Sequence, residues 1–423
     1  MTKKVKKEIA VIILAAGKST RMKSETPKVL HKLCGRPMLG YVLDLVAALK
    51  PASVVAVLGY KQELVREYIP KNIKIAIQKK LSGTADAVKV GLSALKGFSG
   101  TVLVLYGDNP LLKKETLQKL LDYHHQNNVD ATLLTAQLKE PAGYGRIMRD
   151  KYSSICAVVE EKDADEVQKD IKEINTGIMV FKKEKLLANL GLIRPNNRKK
   201  EYYLTDIIEI FAKKNYLIDG LMLKDTQEAL GINTRAELAC ANALMQKTIN
   251  HKLLLEGITI VDPLSTFINF GTKIGRDTVI YPFTVIERDD RIGKRCFLGP
   301  FAHLREGVRL GDDVTAGNFI EMVRSRIGNK TFVKHFSYLG DSSIGANVNI
   351  GAGTVTANFD GKNKNNTLIK NNVNIGSDTV IVAPVKIGRF AITGAGAVVT
   401  KNVPDKAVVV GVPARILRKG KHG

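Results

Sequence analysis

The chain is short of cysteine. Its four cysteines, Cys34, Cys156, Cys240 and Cys296, are scattered through 423 residues with no metal-ligand spacing. That argues against a disulfide framework and for a reducing compartment. Long apolar runs are missing as well: none approaches the ~20 residues a membrane-spanning helix needs, so no membrane partner is expected. Acidic residues are the minority, 41 against 65 lysines and arginines, for a formal net charge of +24. Such a field attracts phosphorylated substrates, nucleic acid or anionic surfaces. The basic residues nevertheless lie in short, dispersed clusters such as Arg198-Lys199-Lys200, with no aromatics interleaved among them. This reads as a solvated lysine-rich surface and not as a nucleic-acid site. What is present is ordinary globular composition, 44% hydrophobic and 25% charged, in a chain long enough for two or three domains.

The two halves differ in period. Up to about residue 230, short apolar runs such as 9–16, 52–59 and 101–108 each end in glycine or a polar residue, and amphipathic stretches such as 85–95 separate them. This is the pattern of an α/β sheet of buried parallel strands with helices on both faces, whose ligands sit at the carboxyl ends of the strands. Thr234-Arg-Ala-Glu237 has the form of a capping box and opens a helix with an apolar stripe at Leu238, Ala241, Met245, Ile249 and Leu253. Beyond it aliphatics fall six apart: Ile274, Ile280, Ile286, Ile292, Leu298, Leu304, with restarts at Val314, Ile327 and Ile344 and a return at Ile369. A six-residue period cannot be a helix stripe and fits a parallel β-helix built from hexapeptides. The polar stretch 357–368 interrupts it and reads as a loop pushed out of one coil.

Residues 9–22, IAVIILAAGKSTRM, follow a lysine-rich start (Lys3, Lys4, Lys6, Lys7). Taken alone they suit a signal peptide, a phosphate-binding loop, or a strand and turn. They are not a Walker A sequence, because the earlier glycine is missing. Further pieces follow in order: Thr26-Pro27-Lys28, Gln78, Ser82-Gly83-Thr84, Tyr106-Gly107-Asp108, Gly143-Tyr-Gly145-Arg, Glu160-Glu-Lys162, Asn175-Thr-Gly177, Tyr203-Leu-Thr-Asp206 and Gly231-Ile-Asn233. This ordered set resembles the nucleotidyltransferase domain of sugar-phosphate uridylyltransferases. Together with the hexapeptide half, residues 8–411 resemble the bifunctional N-acetylglucosamine-1-phosphate uridylyltransferase/glucosamine-1-phosphate acetyltransferase family. On that resemblance the run 9–22 is a first strand with its nucleotide loop.

The resemblance implies an α/β, Rossmann-like nucleotidyltransferase domain over 1–233, a linker helix over 234–257 and a left-handed β-helix acetyltransferase domain over 258–423. In the first domain, Leu14, Ala15, Gly17, Gln78, Gly83 and Thr84 would hold the uridine nucleotide. Arg21 and Lys28 would steady its triphosphate during catalysis. Gly145, Glu160, Asn175, Thr205 and Asn233 would bind the sugar phosphate, and Asp108 with Asn233 would coordinate Mg²⁺. A carboxylate plus an amide oxygen is a normal hard-ligand pair for that ion. In the second domain, His335 would be the general base toward the amine. Arg305, Tyr338, Asn349 and Lys364 would hold the amino-sugar phosphate, and Asn358, Phe359, Ser377 and Ala395 would line the acetyl-CoA site. UTP and acetyl-CoA are the implied co-substrates, and a cytoplasmic homotrimer acting on small molecules is the implied assembly.

Three positions depart from the family pattern. Ser19 stands where a glycine is usual. Val323 stands where the family carries a lysine, followed by Arg324, which strand alternation would turn to the opposite face. The segment Val410-Gly-Val-Pro-Ala-Arg415 lacks the arginine expected to meet CoA. These departures leave an alternative to acetyl transfer, a uridylyltransferase with an altered or inactive acyltransferase domain.

Overall fold

The computed structural model describes residues 8–18 and 20–418. Ser19, the lysine-rich start and the Lys419–Lys421 tail lie outside the described residues. The chain forms two compact units, one of residues up to 33 and from 37 to 241, the other of 34–36 and 242 onward. The division falls inside the helix Arg235–Leu255. The start of that helix is fixed as the capping-box pattern predicts: Thr234 Oγ1 accepts the Glu237 N–H at 3.2 Å, and Glu237 Oε2 accepts the Thr234 N–H at 2.8 Å.

In the first unit, strand Ile9–Ala15 lies in the middle of a sheet, parallel to Ser53–Leu58 on one side and Thr101–Tyr106 on the other. Alternate side chains serve opposite faces. Ala10, Ile12 and Leu14 pack with Val88 and Phe211, while Val11, Ile13 and Ala15 pack with Leu39, Val42 and Leu117. A strand buried on both faces reads as an unbroken apolar run, which is why these residues look like a signal-peptide core in one dimension. Full burial of Ile12 and Ile13 contributes about 2 kcal/mol apiece, so the run is part of the core.

The sheet is not wholly parallel. Strand Glu173–Lys182 runs antiparallel between Thr101–Tyr106 and Ala131–Gln137. Its amino end therefore meets the carboxyl ends of its neighbours, and that places Asn175 at the same end of the sheet as Tyr106, the last residue of Thr101–Tyr106.

The second unit winds through three sheets of 10, 8 and 7 strands, parallel and visited in rotation as far as Val398–Val399, after which Val408–Val410 returns to sheet one and Arg415–Arg418 pairs with it antiparallel. Sheet one begins at Thr259–Ile260, sheet two at Phe267–Ile268 and sheet three at Lys273–Ile274. The hexapeptide aliphatics point inward and stack coil on coil, with Ile280, Ile286, Leu298 and Leu304 fully buried. Each coil is one turn of a triangular solenoid whose core depends on its neighbours.

The restarts in the period have a local cause. Arg291 pairs with Arg309, 18 residues on, but Arg309 pairs with Arg326 and Arg326 with Ser343, each only 17 residues on. The missing residue is lost at the corner between sheets two and three. In both short coils that corner turns through a left-handed residue, Arg324 at φ 47° and Asp341 at φ 47°. The next coil carries the excursion 358–366 at the same corner, closed by a bridge between Phe359 and Lys364. Asp360 pins its tip by accepting the N–H groups of Lys362 and Asn363. Those two bonds and the Asn365 amide hold the Asp360 carboxyl down at about 2.

Candidate active sites

In the first unit the predicted residues gather at the carboxyl ends of the strands, where open α/β sheets bind ligands. Leu14 and Ala15 are buried within their strand and can offer only backbone. Gly17 follows on the exposed loop, and a Cβ there would meet none of the described atoms within 4 Å, which leaves room for a phosphate against its amide. Gly83 is needed for two reasons: its φ is +124°, and a Cβ would collide with the Tyr202 carbonyl. The loop it forms is tied down by Gln78, whose amide donates to the Gly83 carbonyl at 3.0 Å and to Asp86 Oδ2 at 2.9 Å. Thr84 Oγ1 accepts the Leu204 N–H at 2.9 Å.

The sugar-phosphate set also converges. Gly145 pairs with Asn175 across two strands. Thr205 Oγ1 donates to Glu160 Oε1 at 3.0 Å, and the same Glu160 oxygen lies 3.6 Å from where a Gly145 Cβ would be. Burial raises the Glu160 carboxyl above its ordinary range, partly opposed by the Thr205 hydroxyl. Tyr106, a motif residue to which the sequence assigned no role, packs among them: its ring would collide with any side chain at position 177, and burial, then Glu160 and Asp108, push its phenol up. The signal for it was an aromatic ending an aliphatic strand just before Gly107-Asp108.

Lys28 Nζ forms a salt bridge with Asp108 Oδ2 and donates to Asn233 Oδ1 at 2.8 Å. Arg21 Nη2 donates to the same Asn233 oxygen at 2.9 Å. Asn233 is anchored in turn through its N–H, which Glu237 Oε2 accepts at 2.6 Å, so the capping box also positions this side chain. Two hard oxygens therefore converge on one cationic centre, here an ammonium. Asp108 and Asn233 fit a divalent ion that takes its other ligands from water and phosphate. No cluster of three or more acidic, histidine or cysteine side chains suited to a metal occurs among the described residues.

In the second unit the predicted residues fall at different corners. His335, Ser377 and Ala395 lie exposed at the corner between sheets one and two, Ser377 and Ala395 on adjacent coils and His335 separated from Ser377 by one intervening coil. Backbone bonds link those coils from the Gly353 N–H to the Phe336 carbonyl, from Asp378 to Ala352 and from Gly396 to Ser377. Arg305, Asn358, Phe359 and Lys364 lie at the corner between sheets two and three, with Tyr338 on the adjoining face of sheet two. Asn349 is on the outer face of sheet one, bonded to Asn374 at 3.0 Å. One chain therefore does not bring His335 and Asn349 together with Arg305 and Lys364.

Around Tyr338 the arrangement is tight. A Cβ on Gly340 would lie 2.6 Å from the Tyr338 hydroxyl and 2.7 Å from the Asn358 amide, so the phenol folds across that glycine. Arg305 donates to Glu321 at 3.0 Å, and Glu321 is the register neighbour of Tyr338. Val323 is buried. Arg324 does not turn to the opposite face of a continuing strand, because strand Ile320–Val323 ends there and the left-handed corner carries the side chain outward. Its Nε and Nη2 donate to the two carboxylate oxygens of Asp341 at 2.6 and 2.7 Å. Asp341 also accepts from the Asn358 amide. Arg324 first, then Asn358 and Lys364, holds the Asp341 carboxyl below its usual range.

Comparison with known proteins agrees with this division. Residues 11–172 match the MobA-like NTP transferase domain family, and residues 291–318 and 367–401 match the hexapeptide repeat of succinyl-transferase. The chain is 43% identical to the bifunctional protein GlmU of Thermosipho africanus, with 96% of each chain covered. It is 42% identical to that of Heliobacterium modesticaldum over 94% of each, and 40% identical to that of Lactococcus lactis over 97% of each. A nucleotidyltransferase sheet and a hexapeptide β-helix, in the same order and at this identity, make the chain a member of the bifunctional GlmU family.

Proposed function

We propose that the protein makes UDP-N-acetylglucosamine in two transfers. The β-helix moves the acetyl group of acetyl-CoA onto the amine of glucosamine 1-phosphate, and the α/β unit then joins the product to UTP with release of pyrophosphate. The observation that carries the second step is the convergence of Lys28, Asp108, Asn233 and Arg21 at the carboxyl ends of the strands.

In uridylyl transfer a phosphate oxygen of the sugar attacks the α-phosphorus of UTP. The new P–O bond forms as the bond to the β-phosphate breaks, and pyrophosphate leaves. Two anions must meet, so the protein's contribution is positioning and positive charge. Arg21 and Lys28 supply that charge, Gly83 and Thr84 fix the base, and Glu160, Thr205 and Asn175 hold the sugar. Mg²⁺ held by Asp108 and Asn233 would add charge stabilisation on the phosphates.

In acetyl transfer the amine attacks the thioester carbonyl, the C–S bond breaks, and CoA leaves as a thiol. His335 accepts the amine proton, and the departing thiolate is protonated from it. Because the His335 corner and the Lys364 corner are different edges of one solenoid, we assign the complete site to neighbouring chains of a homotrimer. Ser377 and Ala395 on one edge then face Arg305, Tyr338 and Lys364 on another. We assign the enzyme to the cytoplasm. Among the described residues no helix is long and apolar enough to cross a membrane.

The experiment mixes purified protein with glucosamine 1-phosphate, acetyl-CoA and UTP. CoA and pyrophosphate should both appear, with pyrophosphate dependent on acetyl-CoA. Pyrophosphate formed only when N-acetylglucosamine 1-phosphate is supplied directly, without CoA release, would favour a uridylyltransferase with an altered β-helix.

A further inference from the structure

The corner between sheets two and three carries an ion pair that no predicted role uses. Arg324 and Asp341 occupy the same corner on successive coils, at the two turns that are one residue short. The pair is bidentate, so the guanidinium plane is fixed and not swinging in solvent. Asp341 is anchored from its other side by Asn358, which in turn lies with the Tyr338 hydroxyl over Gly340. The Arg324 side chain remains 43% exposed, against 10% for Asp341. Nε and one N–H of Nη2 are engaged, which leaves three of the five guanidinium N–H groups for a ligand.

Charge points the same way. Arg305 pairs with Glu321 and Arg324 with Asp341, and Lys364 adds a cation that acts on the Asp341 carboxylate. A fixed guanidinium fork matches phosphate better than an ammonium does. Val323, buried in register with Gly340, contributes no charge to this corner.

We propose that Arg324 is the phosphate-contacting cation of the acetyl-transfer site, with Asp341 as the positioning residue that holds its guanidinium beside Tyr338, Asn358 and Lys364. The inference rests on the acetyl-transfer reading above. It assigns to the left-handed corner residue the cation that position 323 lacks, and makes Arg324 a determinant of preference for the 1-phosphate over the free amino sugar.

The test follows CoA release by wild-type protein, Arg324→Gln and the double variant Val323→Lys/Arg324→Gln, with glucosamine 1-phosphate and with glucosamine. Arg324→Gln should raise KM for the phosphate by about 10- to 100-fold, the loss of one charge-assisted contact, with kcat changed less than about threefold. Turnover of glucosamine, which offers Arg324 no phosphate, should fall by a much smaller factor, and Val323→Lys should recover part of the lost affinity. Asp341→Asn should raise the same KM by a smaller factor. An Arg324→Gln KM within about twofold of wild type, or equal losses on both substrates, would overturn the inference while leaving acetyl transfer intact. If wild-type protein releases no CoA, the acetyl-transfer reading and this inference fall together. Pyrophosphate release by Arg324→Gln from UTP and N-acetylglucosamine 1-phosphate serves as the folding control.

Discussion

Lys28 Nζ and Asn233 Oδ1 meet at 2.8 Å although 205 residues separate them, and the same ammonium is bound to Asp108. One lysine thus joins the segment after the nucleotide loop, the end of a central strand and the residue just before the capping box. The contact draws an Asn from the far end of the unit to the carboxyl ends of the strands, where we place the phosphate site. It also sets Lys28 where it can pass from carboxylate to phosphate as the substrates enter.

Replacing Lys28 with alanine should therefore lower kcat/KM for pyrophosphate release by about 100- to 1,000-fold, the range for loss of one preorganised charge contact. CoA release from acetyl-CoA and glucosamine 1-phosphate should remain within about twofold of wild type. Parallel assays of the two products measure this directly.

Gly83 should tolerate no side chain. Alanine there would be strained at φ +124° and would press on the Tyr202 carbonyl, shifting the 82–86 loop that Gln78 holds. We expect KM for UTP to rise at least about tenfold, with destabilisation of about 1–3 kcal/mol in the first unit. Titration of UTP in the steady-state assay and thermal unfolding would report the two effects.

Asp290 makes the β-helix sensitive to alkali. Its side chain is fully buried, Oδ1 accepts the Val308 N–H at 2.8 Å, and Oδ2 has no protein partner among the described residues. Burial pushes the carboxyl up to about 8. A carboxyl raised in the folded state binds a proton that the unfolded chain has released. Its contribution is therefore present below about pH 4 and is lost as pH rises through about 8. Asp290→Asn should remove that loss, so that relative to pH 5 the variant gains several kcal/mol over wild type at pH 9, at about 1.4 kcal/mol for each pH unit up to the raised value. Chemical denaturation across that range is the measurement, and parallel pH profiles for the two proteins would contradict it.

Much of this architecture was legible in the sequence because both halves obey strong periods. The solenoid repeats an inward aliphatic every six residues, and Ile9–Ala15 announces a doubly buried strand by being apolar throughout. What escaped were features that depend on a turn or a direction. The antiparallel course of Glu173–Lys182 leaves no mark in composition. Alternation misplaced Arg324 because it presumes that a strand continues, whereas the coil is one residue short and turns at that position. Asn349 and Tyr338 are close in sequence but lie on different sheets, a separation that sequence spacing alone does not register. Glu237 was read as a cap, and its second use in fixing Asn233 needed the fold.

The two transfers draw on separate residues of the chain, those at the strand ends of the first unit and those at the corners of the β-helix, and a crossed pair of variants separates them. CoA and pyrophosphate release would be measured separately for Asp108→Asn and His335→Ala. Asp108→Asn should lose pyrophosphate release by about 100-fold or more while keeping CoA release, and His335→Ala should do the reverse. Loss of both products in either folded variant, or retention of CoA release without His335, would contradict this separation.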